Sequence, residues 1–552
     1  MPRIRIEFVP VQSFALGWLG FDHLQIVFEP DGDGTALQDD WLVLEGQSGR
    51  TRNGTTLGVR GTCGGLSLAS ANHATGAELR ALIGTPEARG SVVLPVEGDL
   101  HDAWQRMAEY ARAINASGFP YCSFRPAGTP FATINSSSVV ASLLWCIGID
   151  INDHLPAGIG ISPGTRTLLG TMGNDTLAFP SRHFDTLAGG SGDDDLTGTN
   201  DRGRIDKMFG GPGCDTFHWS AGFNIIHGGQ PGLAEADDGI DTMDYRGAGV
   251  VTVSAGRLRV PGVAPDYVVT FTGREHGGGL DWLYSIEAMR LDSGSDTLAM
   301  GEGMTKIPRR LSVDMGRLPP GGGLVDLSLA STGLSISAVA VDEIEVSAGG
   351  GKGGRSWRIS GTERILGSDH DDDIQMTPLM RVAEGGGGDD IIDARLVAPG
   401  YACHRHGYDA EIDGGPGDDT LIASMGRTFA RGGPGRNTFI LTSLAAPGAS
   451  AAAELIIADA KPDDCLLVPQ SLFDARGRET TTRLRRLTGN CERQEAPTDA
   501  IAYERDGNDL VIRLGRRRAA APVGRERRER VGDAVVRVLN YRPGDLGILA
   551  TI

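Results

Sequence analysis

The chain has 552 residues, 81 of which are glycine, and its formal net charge is −19 at pH 7. Its length exceeds what one hydrophobic core usually serves, so about two to four domains are expected, and glycine is roughly twice as frequent as usual. The glycines follow no Gly-X-Y period, which excludes collagen. The acidic excess excludes nucleic acid as the expected partner and favours cations.

The seven cysteines are scattered without a CxxC pair, so neither a zinc site nor a disulfide framework is indicated. The N-terminus does not resemble a signal peptide, because Glu7 interrupts the apolar run and no small-residue cleavage site follows. The most apolar segment, residues 139–151, is too short to span a bilayer. The sequence therefore predicts a soluble protein without a transmembrane segment, whose export would use another route.

Residues 1–165 predict an N-terminal α+β module. Three segments predict strands by their alternation: IRIEFV, DHLQIVFE and DWLVLEG. One helix is predicted after the capping box that starts at Thr75, and a second over residues 101–118, which end in glycine. A third helix is predicted after Asn135, which caps the run VVASLLWCIG.

Ser136 and His23 are the candidate catalytic residues of this module. A nucleophile at Ser136 would lie at the positive end of a helix, near N–H groups that could stabilise an oxyanion, and a strand histidine could act as its base. A strand histidine followed by the Asn-Ser-Ser-Ser-Val helix start at 135–139 resembles circularly permuted papain-like enzymes of the amidase and lecithin–retinol acyltransferase type, with serine in place of cysteine. The resemblance implies Ser136 as nucleophile, His23 as base and Asp40 or Glu45 as the orienting group.

The alternative is that these residues are structural, since serine and asparagine commonly cap helices. A second serine motif, GISPG at 160–164, is excluded because Pro163 has no N–H for an oxyanion hole. The sequence contains no HExxH motif and no long apolar helix, which argues against metalloprotease and pore-forming activities. The module is thus predicted to be either a hydrolase or acyltransferase, or a non-catalytic surface, adhesion or structural module.

A short repeat fills residues 166–244. Its unit is an aspartate, any residue and an apolar residue, preceded by glycines, as in GGSGDDDL at 189–196 and GGPGCDTF at 210–217. Copies recur at intervals of 9 to 12 residues, with aspartates at Asp175, Asp185, Asp194, Asp206 and Asp215. Isolated copies follow at Asp241 and Asp296.

Residues 245–362 have fewer glycine loops and predict a β-rich spacer. A second repeat block over 363–445 contains GSDHDDDI, GGGGDDII, GGPGDDTL and GGPGRNTF. Residues 446–552 predict further strands, which form a C-terminal β cap with a secretion-signal region. The Arg-rich tract at 516–530 is interpreted as a solvated loop, with an interaction patch as the alternative.

A period of about nine residues predicts a turn of six residues and a strand of three, with one apolar side chain pointing inward. Two such units complete one coil, so loops 18 residues apart lie on the same edge. Glycine permits the turn conformations and close approach of carbonyls, and the aspartate at position six supplies charge. Hard oxygen ligands of this kind select Ca²⁺.

These copies resemble the nonapeptide G-G-x-G-x-D-x-U-x of RTX (repeats-in-toxin) haemolysin-type calcium-binding proteins, in which U is apolar. The resemblance covers roughly residues 165–440. It implies parallel β-roll blocks that hold Ca²⁺ between stacked turns, and type I secretion to the extracellular medium through an uncleaved C-terminal signal. The implied metal ligands are Gly170, Gly173, Asp175, Asp185, Gly190, Gly192, Asp194, Asp206, Gly211, Gly213, Asp215, Asp241, Asp296, Asp372, Gly386, Gly388, Asp390, Gly415, Gly417, Asp419, Gly433 and Gly435.

The expected fold class is therefore multidomain and mainly β, with an N-terminal α+β domain, parallel β-roll blocks and a β-rich C-terminal region. The expected function is that of a secreted calcium-binding protein whose roll folds in extracellular Ca²⁺ and presents the N-terminal module. In the last loop, Arg436 and Asn437 replace the two acidic residues, so this loop is predicted to end the series of metal sites.

Overall fold

The structure is a computed structural model. It describes residues 2–10, 22–29, 42–51, 54–63, 66–68, 90–119, 133–155, 164–229, 239–255, 265–272, 278–292, 297–300, 311–316, 323–348, 356–397, 408–442, 453–468, 484–486, 501–514, 534–542 and 546–551. The chain divides into two compact units. The first consists of Met1–Tyr245 and Gly256–Ala288, and the second of Arg246–Ala255 and Met289–Ile552.

The described residues are mainly β. The strands up to residue 245 are β1 (Arg3–Pro10), β2 (Asp22–Glu29), β3 (Leu42–Thr51), β4 (Gly54–Cys63), β5 (Leu66–Leu68), β6 (Gly90–Val93), β7 (Thr167–Leu169), β8 (Thr176–Ala178), β9 (Thr186–Ala188), β10 (Asp195–Thr197), β11 (Ile205–Phe209), β12 (Thr216–His218), β13 (Gly222–His227) and β14 (Thr242–Asp244).

The strands after residue 245 are β15 (Val250–Ala255), β16 (Tyr267–Phe271), β17 (Gly279–Tyr284), β18 (Ala288–Arg290), β19 (Thr297–Met300), β20 (Leu311–Asp314), β21 (Gly323–Asp326), β22 (Leu334–Ala338), β23 (Glu343–Ala348), β24 (Ser356–Ser360), β25 (Thr362–Leu366), β26 (Asp373–Gln375), β27 (Val382–Glu384), β28 (Ile391–Asp393), β29 (Ala410–Asp413), β30 (Thr420–Ile422), β31 (Arg427–Arg431), β32 (Thr438–Ile440), β33 (Glu454–Ile457), β34 (Cys465–Val468), β35 (Leu484–Arg486), β36 (Ile501–Asp506), β37 (Asp509–Leu514), β38 (Ala534–Val538) and β39 (Gly547–Thr551).

The N-terminal part of the first unit contains a six-stranded antiparallel sheet in the order β5-β4-β3-β2-β1-β6. Helix α1 (Leu100–Ala116) begins at Asp99, whose side chain accepts the N–H groups of the first turn. Its buried Trp104 stacks on Phe28 of the sheet, with ring centroids 5.6 Å apart. Helix α2 (Ser136–Trp145) is capped by Asn135, and a 3₁₀ turn follows. These two helices are confirmed, whereas the helix predicted after Thr75 lies outside the described residues.

The rest of the first unit consists largely of two stacks of short parallel strands. Strands β7, β9, β11, β13 and β17 form one stack, and β8, β10, β12 and β14 form the other. Successive strands alternate between the stacks, so two strands with their turns make one coil. Leu196, Phe217 and Met243 occupy one register position in neighbouring strands and are fully buried. The single apolar residue of each repeat thus builds a continuous core.

The second unit has the same construction. Strands β25, β27, β29, β31, β33 and β38 form one parallel stack, and β26, β28, β30, β32, β34 and β39 form the other. Ile374, Ile392, Leu421, Phe439 and Leu466 align along the core of the second stack. Parallel stacking therefore continues beyond residue 445, where the sequence predicts the repeat block to end. Long parallel stacks of short strands are consistent with a β-roll.

A carboxylate buried in the core of the first unit is harder to ionise than an exposed one. Asp281 in β17 is fully buried and accepts hydrogen bonds from Tyr245 Oη and Asn224 Nδ2, both at 2.7 Å. Burial raises the pKa of Asp281 to about 7, although the two hydrogen bonds oppose this shift. The charged form is therefore disfavoured in the folded protein.

The stability of this unit is expected to fall as Asp281 loses its proton. Its pKa in the folded protein exceeds the usual value, so its favourable contribution is complete below about pH 4 and is lost as pH rises to about 7. Unfolding free energies of wild type and Asp281→Asn, measured in the same buffer from pH 4.5 to 8, should diverge in that direction. The neutral variant should lose less stability than wild type, and a pH-independent difference would contradict this assignment.

Candidate metal centre

The glycine-rich loops of the first unit lie on one edge of the coil. Each loop leaves a strand of the β7 stack and enters a strand of the β8 stack, with its position-six aspartate directly before the entering strand. The aspartates on this edge are Asp175, Asp194, Asp215 and Asp241. Asp185 and Asp206 lie instead on the opposite edge, beside the starts of β9 and β11. Alternate copies of the repeat therefore share an edge, as the nine-residue period predicts.

The second unit places its loops in the same way. The position-six residues before β26, β28, β30 and β32 are Asp372, Asp390, Asp419 and Asn437. Asp296 lies outside the described residues. We refer to the stacked position-six side chains of each unit as its aspartate ladder.

One oxygen of each ladder carboxylate joins neighbouring turns. The N–H of Asp175 donates to Asp194 Oδ1 at 2.8 Å, and the N–H of Asp194 donates to Asp215 Oδ1 at 2.9 Å. In the second unit the N–H groups of Asp372 and Asp390 donate to the next Oδ1 at 2.8 and 3.0 Å. In these turns the backbone N–H of one position-six residue is therefore held by the carboxylate of the following turn.

The other carboxylate oxygen is left without a hydrogen-bond donor in the interior of the ladders. Among the described residues, Oδ2 of Asp194, Asp390 and Asp419 is buried and has no hydrogen-bond partner. At the first turn of each block, by contrast, Oδ2 of Asp175 and of Asp372 accepts a backbone N–H from its own turn, at 2.5 and 2.6 Å. A buried oxygen without a partner is costly. The interior turns therefore require a positive group beside Oδ2, whereas in the first turns a backbone N–H already satisfies this oxygen.

Glycine carbonyls converge on these oxygens. A methyl group built on Gly385 would overlap Asp390 Oδ2 and would lie 2.6 Å from Gly414 O, so both oxygens face the same small space. In the first unit, a methyl group on Gly189 would similarly meet Asp194 Oδ2 and Gly210 O. The position-one carbonyls thus join the cradle, and Gly170 is the only position-one glycine in the sequence-based ligand set. The first glycine of each GG pair is the sequence signal that could have identified these carbonyls.

The predicted glycines at positions two and four serve chiefly to let the turns approach one another. A methyl group on Gly415 or Gly417 would overlap the carbonyl oxygen of Gly386 or Gly388 in the preceding turn. Glycines take part in such contacts in two ways: a methyl group on them would overlap the neighbouring turn, or their own carbonyl group would be overlapped. These glycines are Gly173, Gly190, Gly192, Gly211, Gly213, Gly386, Gly388, Gly415, Gly417, Gly433 and Gly435. Gly170 approaches Gly189 O and its own Asp175 carboxylate.

The electrostatics of the ladders favour a cation. Burial, together with neighbouring carboxylates, raises the pKa of Asp194 to about 7 and that of Asp390 to about 7. The pKa of Asp419 is raised to about 6, again chiefly by burial. Closely spaced carboxylates that are hard to ionise, beside backbone carbonyl oxygens, form a donor set suited to Ca²⁺.

On the opposite edge, the carboxylates have cationic or hydroxyl partners from the protein. Asp206 Oδ1 accepts Arg204 Nε at 2.7 Å, and Asp206 Oδ2 accepts the N–H and hydroxyl of Thr199. Asp185 pairs with Arg166 Nε at 2.9 Å. The structure therefore does not bring Asp185 and Asp206 into the ladder, although their sequence pattern is the same.

The catalytic candidates are described only in part. Ser136 is the first residue of α2 and is buried, and the Cα of Ser136 lies 2.6 Å from a methyl group built on Gly46 of β3. The N–H groups that follow Ser136 are bonded to Asn135 Oδ1 at 2.9 and 3.3 Å, so the cap uses donors that an oxyanion would need. His23 and Glu45 lie on β2 and β3, but their side chains, and all of Asp40, are outside the description. Catalysis by these residues stays a prediction.

A further carboxylate and histidine cluster lies near the start of the roll. His183 Nδ1 lies 3.1 Å from Asp150 Oδ2 and 3.6 Å from Asp153 Oδ1. The Ser181 hydroxyl also donates to Asp150 Oδ2, and Asn152 donates to Asp150 Oδ1 at 2.9 Å. This cluster is already satisfied by its own hydrogen bonds and links the segment after α2 to the loop before β9.

No family model matches the sequence, and no curated protein matches it either. Among the described residues, no helix is long and apolar enough to cross a membrane.

Proposed function

We propose that this chain is a calcium-binding protein of the RTX type whose two aspartate ladders hold Ca²⁺ between stacked turns. The observation that supports the proposal most strongly is the set of buried carboxylate oxygens without donors at Asp194, Asp390 and Asp419. Oδ2 of Asp194 and of Asp390 faces the carbonyl oxygen of Gly210 and of Gly414, respectively, across a space that a methyl group on Gly189 or Gly385 would fill. Such oxygen-only cradles suit a divalent cation with flexible coordination.

In this proposal, Oδ2 of the interior aspartates and the position-one carbonyls, such as Gly414 O, would hold the ion. Bound calcium supplies the positive charge that offsets the buried carboxylates. The protein contributes the rest: Oδ1 keeps each turn in register through the N–H of its neighbour, and the apolar core residue closes the strand pair. Because the charge repulsion along each ladder opposes folding without a cation, ion binding is coupled to folding.

The biological reading follows the RTX resemblance and is part of the proposal. Extracellular calcium is abundant and cytosolic calcium is scarce, so the roll would fold after export by a type I route. The folded roll would present the N-terminal module, whose α+β and papain-like character also remain proposals. Whether that module is a Ser136-dependent hydrolase or acyltransferase or a non-catalytic surface module is left open.

Calcium is expected to increase the β content of the full-length protein, because the carboxylates of each ladder repel one another without a cation. Far-UV circular dichroism in EDTA and in millimolar calcium measures this directly, and calorimetric titration counts the ions. Magnesium at the same concentration is the matched control and should have a much smaller effect, since it demands stricter octahedral geometry. Equal β content in EDTA and in calcium would overturn the proposal.

A further inference from the structure

The ladder of the second unit continues for one turn beyond the last glycine loop. The segment 459–464 lies between β33 and β34, at the place of the next loop of the coil, and β34 pairs in parallel with β32. The N–H of Asn437 donates to Asp464 Oδ1 at 2.7 Å, the same bond that links the earlier rungs. Asp464 therefore occupies position six of an additional turn that contains no glycine.

Asn437 keeps one function of a ladder aspartate and loses the other. Its Oδ1 accepts the N–H of Asp419 at 3.0 Å, as the carboxylates of other rungs do. Its Nδ2, which stands where an aspartate would have Oδ2, donates to Gly433 O within its own turn at 3.0 Å. This rung therefore presents no carboxylate oxygen to a cation.

An ammonium group from the following turn contacts the same carbonyl. Lys461 Nζ donates to Gly433 O, and Lys461 is the third residue of the turn 459–464. The remaining carboxylates at this level also have protein donors. Asp464 Oδ2 accepts the N–H of Lys461 at 2.8 Å, and the carboxylate of Asp459 accepts the N–H groups of Gly432 and Gly433 at 2.9 and 2.8 Å.

The exposed side chains at position five form a second row beside the ladder, and this row also ends at a basic residue. At position five, the carboxylate of Asp389 accepts the N–H of Asp418 at 2.8 Å, and Asp418 in turn accepts the N–H of Arg436 at 2.8 Å. The guanidinium of Arg436 then folds back onto Asp418 Oδ2 at 2.6 Å. Both rows of side chains thus meet a basic residue of the protein at the same end.

From these contacts we infer that the Lys461 ammonium is a tethered cation that replaces the metal ion at the level between the turns 432–437 and 459–464. The inference rests on the proposed calcium function and extends it. The metal series ends at the rung of Asp419, because the next level carries its own positive charge. The coil that contains β32 and β34 is accordingly held together without calcium.

The test is a double-mutant cycle of Asn437 and Lys461 in the full-length protein. Bound ions are counted by calorimetric titration with Ca²⁺ alone. Asn437→Asp restores the carboxylate but leaves the ammonium to pair with it, so the ion count should equal that of wild type. Lys461→Ala removes the ammonium but leaves the amide, so the count should again be unchanged. The double variant restores the carboxylate and frees the level, and it should bind one additional ion.

A double variant that binds no more calcium than wild type, or a Lys461→Ala variant that already binds an extra ion, would overturn the inference. Wild type that binds no calcium would instead refute the proposed function, so the two failures are distinguishable. Lys461→Ala should also lower the melting temperature in millimolar calcium by about 2–4 °C, because this level then lacks its own cation.

Amide hydrogen exchange on the wild type provides a readout that needs no variant. In EDTA, residues 432–440 should exchange more slowly than residues 414–422, since only the former have a cation of their own. Equal exchange rates in the two segments would contradict the inference.

Discussion

Asp419→Asn is expected to make the calcium-free protein more stable and the calcium-loaded protein less stable than wild type. In the absence of metal, Asp419 Oδ2 is buried without a donor, and leaving such a group unsatisfied costs about 1–3 kcal/mol. Asn437 demonstrates that an amide fits the same position, because its Nδ2 donates to the carbonyl of its own turn. With calcium, the variant would lack one of the proposed ligands. Losing an ion whose free concentration is 100 times its Kd would remove about 2.7 kcal/mol of stability.

The β content in EDTA, from far-UV circular dichroism, measures the first effect, and an unfolding curve in millimolar calcium measures the second. Asp373→Asn is the matched control, since Asp373 is an exposed aspartate at the start of β26 and should change neither measurement appreciably. A change of the same sign for Asp419→Asn in both conditions would show that Asp419 is not a cation ligand.

Gly415→Ala is expected to destabilise the second unit whether or not calcium is present. Gly415 has φ +92°, and a methyl group on it would overlap the backbone carbonyl of Gly386 in the preceding turn. Backbone strain and overpacking together should cost about 2–5 kcal/mol. Chemical denaturation at saturating calcium gives the loss in unfolding free energy.

Gly507→Ala separates the two causes. Gly507 also has a positive φ, +62°, but a methyl group there meets nothing within 4 Å. This control should lose only the conformational part, about 1–2 kcal/mol. If the two variants lost the same stability, close contact between turns would not be the reason that the loops require glycine.

The sequence predicts which loops share an edge, because the spacing of the apolar residues fixes two strands to a coil. It also predicts the two described helices, since Asn135 and the apolar face around Trp104 are local signals. It does not predict which carboxylates lack a donor. Asp206 has the same Asp-x-apolar pattern as Asp194, yet Arg204 neutralises it, and only the folded chain shows that this guanidinium reaches it.

The sequence does not predict that the turn at 459–464 belongs to the coil, and the reason is different. Its sequence, DAKPDD, contains no glycine and so does not resemble the other loops, although DDCLL repeats the aspartate and apolar spacing. In the proposed assignment, the Lys461 side chain supplies the positive charge that the glycine loops would take from bound calcium. A contact between residues 28 positions apart, such as that of Lys461 with Gly433, depends on the coil being formed and leaves no local pattern.

The bonds from each Oδ1 to the N–H of the neighbouring turn have a consequence for how the protein responds to calcium concentration. Because Asp390 accepts the N–H of Asp372 while its own N–H is held by Asp419, ordering one turn prepares the acceptor that the adjacent turn needs. In such a one-dimensional array the free energy includes a nearest-neighbour contribution. For the proposed calcium sites the expected response is therefore cooperative: saturation would rise over a narrower range of calcium concentration than independent sites would give, and each ladder would pass between its states as a threshold element rather than a graded one.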